Sequence, residues 1–145
     1  MYEIWKKQAM NELEIHEARK QAEENISDQL RELEAALSSI RSPGADSACV
    51  RVGGGGQDDR YLNNITAREL LKENLKATRR AIRRVDQAIN ILTAEEQLIL
   101  ERFFIHPEKK AADRLAGDLH VDIKTVYFRR ESALRKFTVA MYGKL

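Results

Sequence analysis

Residues 4–40 contain neither proline nor glycine, and the same is true of residues 60–92. Two such uninterrupted stretches constrain the chain to long helices, because proline and glycine are the residues that break them. In the first stretch Ile26, Leu30, Leu33, Leu37 and Ile40 recur at alternating spacings of four and three, the seam of a coiled coil. One long helix is therefore expected over 4–40. Its beginning is rougher, with Ile15, Ala18 and Ala22 on a drifting stripe and Glu12 and Arg19 where a strict seam is apolar. In the second stretch Leu71, Leu75, Ile82, Val85, Ile89 and Leu92 share one face, interrupted by Thr78. Between the two, Ser42, Pro43, Gly44, the four glycines 53–56, Asp58 and Asp59 have the composition of a flexible connector, at about 41–60.

Two long helices joined in this way predict an antiparallel hairpin. Facing Ile40 with Tyr61 sets the acids Glu17, Glu23, Glu24 and Asp28 against the bases Lys72, Lys76, Arg79, Arg80 and Arg84, so the charges agree with that register. The basic run Arg79, Arg80, Arg83 and Arg84 then reads as a solvated, salt-bridged helix face, each exposed pair contributing about 0–1 kcal/mol. A second nucleic-acid stripe is the rival reading of that run. A lone two-helix hairpin leaves part of each apolar stripe in water, which predicts a homo-oligomer, a dimer or higher.

The last third of the chain has a different texture. Thr93, Ala94, Glu95 and Glu96 form a capping box, with the Thr93 hydroxyl placed to accept from the amide of residue 96 and the Glu96 carboxylate to reach back. A helix starting there buries Leu98, Leu100, Phe103 and Phe104 and stops at His106 and Pro107. A second helix, about 109–119, turns Ala112, Leu115, Ala116 and Leu119 inward. After a turn at His120 and Val121, Asp122 caps a third helix over about 123–137, with Val126, Ala133, Leu134 and Phe137 inward. Charge follows the same division. Residues 1–50 carry six basic and ten acidic side chains (net −4), whereas residues 109–145 carry nine and four (net +5). A positive field on that segment favours a polyanion.

The stretch 114–137, RLAGDLHVDIKTVYFRRESALRKF, resembles region four of bacterial sigma factors. Ala116 stands as the small residue between helices, Val121 as the turn plug, and residues 133–137 match the family's Ala-Leu-Arg-Lys-Leu ending. The whole layout, a long helical hairpin with a Gly-rich interruption before such a tail, is similar to the RinA-type late-transcription activators of phages. What the resemblance implies is an all-α chain with two domains: an oligomerising hairpin over 1–92 and a three-helix helix-turn-helix domain over 93–145. Ile123, Lys124, Thr125, Tyr127 and Phe128 would face the major groove, where Lys124 can donate to guanine and Ile123 or Phe128 can touch thymine methyls. Lys109, Lys110, Arg129, Arg130, Arg135 and Lys136 would mostly neutralise phosphates. Tyr127 or Phe128 could instead pack on the hairpin. Two positions depart from the sigma pattern: Arg129 stands at an aliphatic core position, and His120 replaces the glycine often found in the turn, where a tolerant backbone conformation is needed.

The implied function is a sequence-specific transcriptional regulator that binds double-stranded DNA and acts with host RNA polymerase to switch on late phage genes. A phage small terminase subunit and a sigma-like protein that docks on polymerase without binding DNA are the alternatives. Nothing resembles the sigma domain that melts promoters. No catalytic pattern is expected either: the four glycines are followed by Gln57, Asp58 and Asp59 rather than Gly-Lys-Ser/Thr, and His16, His106, His120 and the single Cys49 are scattered. The chain reads as a non-enzyme without metal or cofactor. Lone Cys49 and the charged start, with Lys6, Lys7 and Glu3, fit a cytoplasmic protein with no membrane segment.

Overall fold

The computed structural model describes residues 1–41 and 56–144. The expected connector residues Ser42, Pro43, Gly44 and Cys49 and glycines 53–55 lie outside the described residues, as does the side chain of Ile40. Among the described residues six α-helices follow one another: α1 (Tyr2–Glu14), α2 (His16–Arg41), α3 (Gly56–Asn90), α4 (Ala94–Leu100), α5 (Ala111–Leu119) and α6 (Ile123–Tyr142). A π-helical turn, Glu101–Ile105, prolongs α4. The described residues hold no strand, so the fold is all-α, and none of their helices is long and apolar enough to cross a membrane. Helix α3 begins earlier than composition suggested, because Asp58 and Asp59, assigned to the connector, lie in its first turn, where carboxylates favour the helix dipole.

The chain divides into two compact units, one made of Gln21–Arg79 and the other of Met1–Lys20 with Arg80–Leu145.

In the unit Gln21–Arg79, contacts across α2 and α3 run in opposite order along the two helices. Arg79 meets Glu23 at 3.1 Å and Arg68 meets Glu34 at 3.5 Å, while the buried Asn64 side chain donates to the Leu33 carbonyl at 2.8 Å. Of the acid–base pairs expected across the helices, Glu23 with Arg79 forms. Lys76 turns instead to Glu73 and Asp28 to Arg31, each a neighbour one turn away on its own helix, where proximity is guaranteed by the backbone. Ile26, Leu30, Leu33, Leu37 and Leu71 are half-buried and Leu75 is buried, whereas Leu62 and Leu70 are exposed.

The other unit holds the main core. Ala9 and Leu13 of α1, Val85 and Ala88 of α3, Leu92, Leu100, Phe104, and Ala133, Leu134 and Phe137 of α6 form one buried cluster. The single helix expected over 4–40 is in fact broken at Ile15 (φ −92°, ψ 0°). Tertiary packing explains the break. Helix α1 lies against α6 and the π-helical turn and buries Ala9 and Leu13, and His16 at the start of α2 is buried as well; of the expected stripe, Ala18 is exposed and Ile15 and Ala22 are half-buried. Trp5 stacks on Tyr142 with ring centroids 4.9 Å apart, Lys6 pairs with Glu131 at 2.7 Å, and His16 Nε2 meets Asp86 at 2.9 Å. The hydrogen bond to Glu131 raises the Lys6 pKa, and the same bond lowers that of Glu131.

Candidate nucleic-acid interface

The capping box at the start of α4 is formed: the Glu96 amide donates to the Thr93 hydroxyl at 3.2 Å, and the Thr93 amide donates to the Glu96 carboxylate at 3.1 Å. Burial alone would raise the Glu96 pKa, but hydrogen bonds from Lys136 and Thr93 outweigh it and the net shift is downward. Downstream, the His106 amide reaches the Glu101 carbonyl at 2.7 Å, five residues back, which widens the last turn. Phe104 enters the main core, and Phe103 packs against both that core and a second one.

The second core places α5 on α6. Ile99, Ala112, Leu115 and Val126 are its buried members, with Leu98, Ala116, Leu119 and Val121 around them. Helix α5 ends in a Schellman cap: the Val121 amide donates to Ala116 O at 3.0 Å and the His120 amide to Gly117 O at 3.4 Å. His120 takes the left-handed conformation this cap requires (φ 56°, ψ 44°), as its place in the turn implied. Val121, expected as a fully inserted plug, is half-buried. Asp122 occupies the N-cap position of α6, yet its carboxylate accepts from the Thr125 hydroxyl at 3.0 Å and not from a backbone amide. The expected inward residues Val126, Ala133, Leu134 and Phe137 are all buried; α6 continues five residues past Phe137, adding Thr138 to that face.

The side chains assigned to the groove lie outside this buried stripe, Ile123 and Tyr127 at its flank and Phe128 farther out. Ile123 and Tyr127 are each 43% exposed and Phe128 is 75% exposed. Lys124 is exposed beside them, and Thr125 is half-buried. The Tyr127 ring lies 6.0 Å from that of Phe103, and the Arg130 guanidinium sits 4.9 Å from both ring centres.

The basic residues assigned to phosphates separate into two groups. Arg129 is paired with Glu95, and Lys136 with Glu96 at 2.8 Å. Arg130, besides its two rings, approaches Glu131 at 3.3 Å, and Arg135 lies 5.0 Å over the Tyr2 ring. Lys109 and Lys110, like Lys124 of the groove-facing set, are exposed and have no ion-pair partner among the described residues. Lys110 is also the second non-glycine residue with a left-handed backbone, φ 56°. Sequence reasoning missed the roles of Phe103, Glu95 and Glu96 in this region.

Neither family models, nor curated proteins, nor solved structures gave a match to this chain.

Proposed function

We propose that the chain is a sequence-specific DNA-binding transcriptional regulator, a phage late-gene activator acting with host RNA polymerase, in which α5 and α6 form a helix-turn-helix and α6 is the reading helix. The observation that carries this reading is the arrangement of α6. Its buried face is locked to α5 through Val126 and the Schellman cap at His120, while Ile123, Lys124, Tyr127 and Phe128 stand outward on the first turns, the part of a reading helix that enters a groove. The net charge of +5 over residues 109–145 supplies long-range attraction to a polyanion. The antiparallel order of contacts across α2 and α3, with Leu62 and Leu70 left exposed, supports a hairpin that pairs with a second copy.

Titration of labelled duplex DNA with the protein at a series of salt concentrations tests the reading. Each neutralised phosphate lowers log K by about 0.9 per log unit of salt, so the free lysines assigned to phosphates, Lys109 and Lys110, give a slope of about −1.8 by themselves, and a steeper slope means that the engaged basic side chains are released to the DNA. Absence of salt-dependent binding overturns the proposal. One observation favours a second reading, docking on polymerase without DNA: Arg129, Arg130, Arg135 and Lys136 are all engaged within the fold. That reading expects polymerase binding with no affinity for duplex.

A further inference from the structure

Side chains that read base edges by hydrogen bonding are scarce on the outer face of α6. The Thr125 hydroxyl is given to Asp122, Arg129 to Glu95, and Arg130 to the rings of Phe103 and Tyr127. What stands free on the first two turns is Phe128, Ile123, the hydroxyl-bearing edge of Tyr127 and one ammonium group, Lys124. The largest apolar group that the major groove of B-DNA offers such a face is the C5 methyl of thymine, where cytosine has only a hydrogen.

We infer that this face recognises thymine methyl groups, and that its ligand is a thymine-rich stretch of duplex DNA read mainly by apolar contact. The inference rests on the DNA-binding reading above and specifies what that site selects. Charge complementarity identifies the occupant: the apolar side chains sit in the segment of net charge +5, with Lys124 directly among them and Lys109 and Lys110 unpaired at the start of α5. An apolar patch that carries a free cation, within a segment of net positive charge, matches a phosphate-walled groove with methyl groups on its floor. Phe128 and Lys124 are one helical turn apart, so a methyl contact and a polar or phosphate contact fall on neighbouring nucleotides. Tyr127 is already held by Phe103 and Arg130, so little side-chain freedom is lost when its edge meets the DNA.

The test uses the full-length protein to enrich duplexes from a random-sequence pool. The enriched duplex is then remade with deoxyuridine in place of single thymidines, a change that deletes the methyl and keeps every hydrogen-bonding group. Binding should weaken about fourfold at each contacted thymidine, the equivalent of one buried methyl-sized group. In Phe128→Ala the penalty at one of those positions should vanish, the signature of a direct contact. Circular dichroism checks that the variant is folded, and the deoxyuridine series on the unaltered protein stands whether it is or not. Equal affinity for the thymidine and deoxyuridine duplexes overturns thymine-methyl recognition and leaves DNA binding intact. A Phe128→Ala variant that is folded and loses the same factor on both duplexes removes Phe128 from the contact and overturns the assignment. Failure to enrich or bind any duplex overturns both readings.

Discussion

Thr93 shows how far one residue's chemistry can be followed. Its hydroxyl and its amide each satisfy a partner in Glu96, so Thr93→Ala should cost about 1 kcal/mol, seen as a lower denaturant midpoint with unchanged slope. Glu96 and Glu131 both have pKa values lowered in the fold, Glu96 by hydrogen bonds from Lys136 and Thr93 working against burial, and Glu131 chiefly by Lys6. Groups shifted in this direction stabilise the protein above the ordinary carboxylate range, and the contribution is lost as pH falls through their lowered values. Stability should thus decline on acidification below about pH 5, and Glu96→Gln should flatten part of that decline in melts taken across acidic pH. His120 is a different case. A histidine at φ 56° carries backbone strain that glycine would not, so His120→Gly should raise stability by about 1 kcal/mol, a gain that chemical denaturation would register.

At the level of elements, helices were legible wherever a local rule was in force. The capping box, the inward face of α6 and the positive φ of His120 are each decided within a few residues, and each is visible in the sequence. The break at Ile15 is not, because no proline or glycine marks it; it belongs to the packing of α1 on α6, a contact between the two ends of the chain. The π-helical turn is equally silent, since a five-residue hydrogen bond leaves no compositional trace. The site was legible as a set of positions but not as a set of free groups. Whether Arg129 or Lys136 is available depends on Glu95 and Glu96, more than thirty residues away. Asn64 offers a test on α3. It is a buried polar residue whose amide is fixed to the Leu33 carbonyl, the kind of contact that sets register at a cost in stability. Asn64→Leu should stabilise the α2–α3 contact by about 1 kcal/mol, from the apolar area gained, while relaxing its register, and disulfide trapping of cysteine pairs placed one turn out of step would report the slip.

For the whole molecule the decisive fact is that the unit bearing α5 and α6 also contains α1. Leu13 is fully buried against residues from the end of α3 and from α6, so Leu13→Ala should cost about 2–5 kcal/mol. The loss should be read in the α4–α6 region by hydrogen exchange, although the substitution is at the opposite end of the chain. If exchange there is unchanged, α1 does not support that unit. The same arrangement dictates an order of events as the chain is made. Ala9 and Leu13 leave the ribosome well before α6 and have no completed core to join until Ala133, Leu134 and Phe137 follow. Closing so long a loop costs little extra at equilibrium, because that cost rises only logarithmically with length, but it slows the search. During that interval the apolar face of α1 waits uncovered, and refolding from denaturant should show the Trp5–Tyr142 contact closing in the slowest phase.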